Sequence, residues 1–461
     1  MLLPQRMRLA LFVCAVTGLM LADAAPVAQR GPVVLIPAGR AAGSARAIPS
    51  SQGALQHFRA RLATDREISL IVEVRAPVRV DAQGMTAAEE QAEAGMLGRA
   101  RLTVIRRLPP QAHGMREYEA IPFFAVIADA ITFDVLLSDP NVVSIQEDAM
   151  RRASLKQSVP LVQANQAWAR GYTGAGVAVA ILDTGVDKTH PVFGARVVSE
   201  ACYSGGGTKA DSVCPGRALS STAAGSAKPC TPRDSCSHGT HVAATAAGST
   251  GVAKGASIVA IQVFSRDDDD VGAWDSDILK GMNRVYALRN KYAIAAVNMS
   301  IGGDEEYTRT CDASSRAYTA MISKLYQARI ATVVASGNEG FTTGLSAPAC
   351  HSKVISVGNS TKANKINRWS NSASFLSLLA PGTSINAAIP GGGRETMTGT
   401  SMAAPHVAGA WAILKQRKPT LTVAAGLAAL RNTGLNIKDS RNGRTFKRIR
   451  INNALSTLTG R

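Results

Sequence analysis

The chain has 461 residues, 46% hydrophobic and 18% charged, with 41 Gly and 20 Pro; this suits a large globular domain plus a smaller one and excludes a disordered chain. Its net charge of +18 is unevenly placed: residues 1–150 balance 15 Arg against 15 acids, whereas residues 151–461 carry 36 basic and 18 acidic residues. These positives are scattered apart from RNGRTFKRIR at 441–450, a pattern that favours solubility and loose attraction to polyanions over base readout, so no nucleic-acid partner is expected.

Arg6 and Arg8 precede a 13-residue apolar stretch (9–21) that ends in Ala22-Asp23-Ala24. Basic start, short apolar core and A-x-A site describe a secretory signal peptide over residues 1–24. The stretch falls short of the roughly 20 residues that span a bilayer, so no stable membrane anchor is expected. The product is then secreted, outside the cell or into a periplasm. Cys14 leaves with this segment. The remaining six cysteines, Cys202, Cys214, Cys230, Cys236, Cys311 and Cys350, suggest three disulfides in an exported chain. Local closure favours Cys202–Cys214, Cys230–Cys236 and Cys311–Cys350.

Residues 25–66, rich in Ala, Pro, Gly and Arg, read as a linker or leader. Over residues 67–150 the pattern changes. ISLIVEVRA reads as a strand, the Ala/Glu-rich 86–98 as a helix and LTVIRRL as another strand; EAIPFFAVIAD, a helix-like TFDVLLSDP and NVVSIQED follow. This predicts a small α+β module with an antiparallel sheet. Its His113 has Glu117 nearby but no hydroxyl or thiol nucleophile beside it, so the module carries no visible chemistry.

Residues 151–461 form the larger domain. GVAVAILD (176–183), SIVAIQVF (257–264), IAAVNMSI (294–301), RIATVVAS (329–336) and KVISVG (353–358) are short apolar runs of the kind buried parallel strands require. Helical stretches alternate with them at 241–247, 277–289, 315–327 and 402–416. The fold class is therefore α/β, with a parallel sheet whose carboxyl ends gather ligands.

Four polar residues stand at such ends or open small-residue helices: Asp183 in AILDTG, His238 in SHGTHVA, Asn338 in ASGN and Ser401 in GTSMAAP. A hydroxyl becomes a nucleophile when an imidazole takes its proton, and the imidazole needs a carboxylate to hold its tautomer. Asp183 as orienter, His238 as base and Ser401 as nucleophile complete that relay. The Asn338 amide would donate to the oxyanion beside the Ser401 N–H. Each residue alone has a plainer role as a turn or cap; their order and glycine-containing frames make the case. A lipase would order its triad Ser, Asp, His, and an inactive binding module would not need the three intact.

The motifs AILDTGVD, HGTHVAATAAG, ASGNEG and GTSMAAPHVAGA resemble the subtilisin-like serine proteases, the subtilases. NMSIGG at 298–303, APG at 380–382 and RINNAL at 450–455 extend the likeness over roughly 155–458. The resemblance implies a serine endopeptidase with catalytic Asp183, His238 and Ser401 and oxyanion donor Asn338. Ser300, Ile301 and Gly302 would pair with extended protein or peptide substrates, while Ala335, Ser336 and Gly337 wall the pocket for the residue at the cleaved bond. It also makes residues 67–150 a propeptide, chaperone and inhibitor of its own domain, removed by self-cleavage between Glu147 and about Pro160. A monomer is expected. No cofactor is needed for the chemistry.

One stretch departs from the family. Where relatives carry a glycine-rich loop, this chain has SRDDDDVGAWDSD, with Asp267 to Asp270, Asp275 and Asp277; Glu339 follows Asn338, and Asp304, Glu305 and Glu306 follow the substrate strand. Asp275 and Glu339 are accordingly expected to select basic residues in the substrate. Structural calcium on the Asp run and a solvated loop are the other readings.

Overall fold

Strand Ala178–Asp183 lies near the middle of a ten-stranded sheet. From one edge the order is Ser220–Ser221, Val197–Tyr203, Ser257–Gln262, Ala178–Asp183, Ile294–Met299, Ala331–Ala335, Ile355–Ser360, Leu378–Pro381, Thr445–Arg448 and Leu435–Lys438. The eight inner strands are parallel, and an antiparallel strand closes each edge. The computed structural model describes residues 33–36, 51–76, 85–148, 150–151, 160–207, 211–230, 233–267 and 270–458. The expected signal peptide, Arg152, Asp268 and Asp269 lie outside the described residues.

Side-chain alternation in the central strand assigns the two faces of the sheet. Val179 and Ile181 join the apolar cluster of helices His238–Ala247 and Thr400–Arg417. Ala178, Ala180 and Leu182 join that of helices Asp275–Leu288 and Arg316–Gln327. Asp183 shares the parity of Val179 and Ile181. Its carboxylate therefore faces the two helices that begin at His238 and next to Ser401.

The N-terminal module is a five-stranded sheet in the order Val34–Ile36, Val142–Glu147, Glu67–Val74, Phe123–Asp129, His113–Glu117. All its pairings are antiparallel except the first. Two expectations fail here. Residues 25–66 are not merely a leader: Val34–Ile36 pairs with Val142–Glu147, and Ser51–Asp65 is a helix that buries Ala54, Phe58 and Leu62 along one face. LTVIRRL is not a strand but continues helix Ala87–Ile105. Its Leu97, Arg101 and Val104 are buried at helical spacing, and Thr86 and Glu89 form a capping box at the start.

Ile71, Tyr118, Ile121, Phe123 and Ala125 of this module share one apolar cluster with Ile278, Met282, Ala317 and Tyr318 of the large domain. All three expected disulfides are formed. Among the described residues, no helix is long and apolar enough to cross a membrane.

Candidate active site

Asp183 ends its strand fully buried. Gly185 follows at φ 99°, in the left-handed region, and a Cβ there would run into the Lys228 carbonyl, so glycine is required. Thr184 ties this turn to the segment before His238. Its hydroxyl donates to the Cys236 carbonyl (3.2 Å) and accepts from the Gly239 N–H (2.9 Å), while its own carbonyl accepts from the Cys230 N–H (3.1 Å). The Cys230–Cys236 disulfide closes the same segment.

His238 opens helix His238–Ala247 and is buried. Its Nδ1 lies 2.6 Å from Asp183 Oδ1. An ionised carboxylate can only accept, so Nδ1 carries the proton and Nε2 is the basic nitrogen. Ser401 stands in the first turn of helix Thr400–Arg417, where backbone N–H groups favour developing negative charge. Its hydroxyl donates to the Ser300 carbonyl (3.3 Å), and the Ser300 hydroxyl donates to the Ser401 carbonyl (2.6 Å) while accepting from the Asn298 amide (3.0 Å). Ser401 and the segment that follows strand Ile294–Met299 are thus fixed to one another.

Asn338 follows strand Ala331–Ala335 through Gly337. Its Oδ1 accepts the Thr400 N–H at 2.8 Å and lies 3.2 Å from the Thr400 hydroxyl. With the oxygen so held, the rotation of the amide is fixed and Nδ2 is the end left to donate. The segments around Ser300–Gly302 and Ala335–Gly337 are bridged by residues 345–347: the Ser346 N–H donates to the Ser336 carbonyl (3.1 Å), and the Gly303 N–H to the Ala347 carbonyl (3.0 Å). Glu339 is solvent-facing, yet its Oε2 accepts from the Ser346 hydroxyl (2.9 Å) and the buried Asn371 amide (2.6 Å).

The acids of the departing loop divide. Asp267 and Asp270 oppose each other across the hairpin of Phe264–Asp267 and Asp270–Trp274. Asp275 is buried, accepting from the Tyr318 hydroxyl (3.0 Å), and lies beside Asp148 of the N-terminal module. Asp277 is paired with Arg116 of the same module. Burial, and then the charge of Asp275, push the Asp148 carboxyl up to about 8, against the hydrogen bond it accepts from the Ser276 N–H. Among the described residues, which do not include Asp268 and Asp269, no three His, Cys, Asp or Glu side chains gather as a metal site. Thr184, Asn298, Asn371 and Thr400 escaped the sequence reading, although Thr184 and Thr400 directly adjoin the motif residues they support.

Over residues 174–450, which enclose Asp183, His238, Asn338 and Ser401, the chain matches the sequence model of the Subtilase family. The chain belongs to the subtilases. It is 31% identical to Subtilisin E of Bacillus subtilis (strain 168) over 338 residues, covering 70% of this chain and 78% of that protein. An intracellular serine protease of Paenibacillus polymyxa is 34% identical over 272 residues (57% of this chain, 73% of the relative). The alkaline protease of Shouchella clausii is 31% identical over 333 residues (70% and 77%). This subtilase is accordingly a serine-type endopeptidase, and the family's chemistry needs no cofactor.

Proposed function

We propose that Asp183, His238 and Ser401 are the catalytic triad and that the N-terminal module is an autoprocessed propeptide of a secreted enzyme. The carrying observation is the buried 2.6 Å contact between Asp183 and His238. In the reaction, His238 Nε2 takes the Ser401 proton as Oγ attacks the substrate carbonyl. The Asn338 amide and the Ser401 N–H receive the oxyanion. His238 then protonates the leaving amine, and water releases the acyl group by the reverse path.

The module's role rests on its docking. Beyond Asp148 at the start of helix Asp275–Leu288, Met150–Arg151 adds as an antiparallel strand to Asp270–Trp274, the way an extended peptide occupies a cleft edge. Self-cleavage would follow just downstream. A preference for basic residues is supported by Glu339, held beside the pocket walls by Asn371 and Ser346; Asp275 serves the module contact in the uncleaved chain. Incubating the purified chain and sequencing the new N-terminus tests this reading. A cut between Glu147 and about Pro160, absent in Ser401→Ala, is expected; cleavage persisting in that variant would overturn the triad.

A further inference from the structure

Four ion pairs among the described residues join the N-terminal module to the large domain with the same polarity. Lys280 meets Glu119 (3.2 Å), Arg289 meets Glu90, Arg316 meets Glu73 (2.6 Å) and Lys324 meets Glu93 (3.0 Å). Every cation stands on helices Asp275–Leu288 and Arg316–Gln327 or directly after the first of them. Bulk charge accounts for cations on the large domain, where residues 151–461 carry 36 basic and 18 acidic residues, but not for the glutamates that meet them, because residues 1–150 balance 15 Arg against 15 acids. The module has turned its glutamates toward one basic face. Apolar side chains alternate with the cations on the same helices, Ile278, Met282, Ala317 and Met321 among them. An apolar centre with charged neighbours is the make-up of a protein-binding surface.

We propose that this face, once the module has been removed, docks an acidic stretch of protein substrates lying upstream of the bond to be cut. The proposal rests on the propeptide reading above. The path is drawn by the chain itself. Gln146 Oε1 accepts from the Ser315 hydroxyl and the Ala317 N–H (3.3 and 3.4 Å), Asp148 caps Ser276, and Met150–Arg151 then pairs along the cleft-edge strand. A polypeptide seated in the cleft therefore reaches the basic face within a few residues. The glutamates that answer the cations, Glu73, Glu90, Glu93 and Glu119, lie elsewhere in the module, so the strand seat and the basic face are separate contacts, and a basic preference in the cleft and an acidic one upstream are compatible.

A uniform polyanion fits less well. Asp275 and Asp277 sit within the face, and the module answers Asp277 with a cation, Arg116. A mixed-charge polypeptide can supply one; a nucleic acid strand cannot.

The test compares kcat/KM for an acidic unfolded protein and for a tetrapeptide anilide over a range of NaCl. It uses enzyme whose N-terminal sequence shows the module gone. Lys324→Glu, Arg316→Glu and Arg289→Glu are combined with Glu93→Lys, Glu73→Lys and Glu90→Lys, which preserve the pairs in the uncleaved chain while reversing the exposed face. About a tenfold loss on the acidic protein at low salt is expected, with the tetrapeptide rate within about twofold, as steering by surface charge predicts. In the parent enzyme, a Glu-rich peptide that also carries an Arg should inhibit cleavage of the protein but not of the tetrapeptide, which decides the matter even if the charge-swapped chain fails to fold. Equal effects on both substrates, or inhibition by single-stranded DNA as strong as by the mixed-charge peptide, would overturn the proposal. A chain that cuts peptides with its original N-terminus intact would instead strike down the propeptide reading beneath it.

Discussion

Thr400 engages the amide oxygen of Asn338 through both its N–H and its hydroxyl, which fixes the rotation of the amide and so the direction in which its NH2 can donate. Thr400 belongs to the helix that carries Ser401, so the proposed nucleophile and oxyanion donor are set by one turn of backbone. Asn338→Ala removes a donor aimed at charge that exists only in the transition state. The expected result is a fall of about 10²- to 10³-fold in kcat with KM nearly unchanged, the general figure being the one known for an oxyanion amide in subtilisin itself. Steady-state kinetics on a peptide anilide check it. A loss confined to KM would mean that Asn338 only binds substrate.

At the scale of elements, two of the three disulfide loops have different work. Cys311–Cys350 spans 39 residues, and its removal should cost about 4 kcal/mol by loop entropy. Cys230–Cys236 spans only 6, worth about 2 kcal/mol on the same basis. The short loop nevertheless lies against Thr184 and leads straight into His238. The double variant Cys230→Ser, Cys236→Ser should therefore lose less in thermal melting but about tenfold in kcat, because small shifts of an acting group are costly. Cys311→Ser with Cys350→Ser should show the converse; equal kcat in the two variants would refute this division. The candidate site was legible in the sequence because each of its residues sits in a tight local frame that glycine or small residues mark. The strands that carry it were legible because burial on both faces leaves nearly continuous apolar runs. Legibility ended where tertiary contact decides. Helix Ser51–Asp65 is polar apart from a narrow face, and LTVIRRL has strand-forming residues in a segment that the Thr86 cap and buried Leu97, Arg101 and Val104 make helical. Strand Leu378–Pro381 is only four residues long and ends in proline, too little to mark a strand in a parallel sheet. Nothing local in DVGAWDSD marks Asp275 and Asp277 as groups covered by another module.

Over the whole molecule, the contact between module and large domain encloses three carboxylates, Asp148, Asp275 and Asp277, with Arg116 as the guanidinium among them. Tyr118 donates to the Ser276 carbonyl and Tyr318 to Asp275, and Glu119 lies at the margin with Lys280 and Asn283. One cation does not balance three buried anions, and the proton retained by Asp148 relieves the excess. In a freed module Asp148 would titrate near the ordinary value of about 4, whereas in the contact it is pushed up to about 8. The docked state binds the extra proton, so docking is strongest below the ordinary value and weakens as pH rises through about 8. Release of the cleaved module should thus quicken from acidic to mildly alkaline pH. In Asp148→Asn the side-chain oxygen can still accept the Ser276 N–H but no proton is gained or lost, so the pH dependence should flatten while docking persists at high pH. Following the dissociation of cleaved module from the enzyme at several pH values separates the two forms. Parallel pH profiles in parent and variant would show that another group controls release.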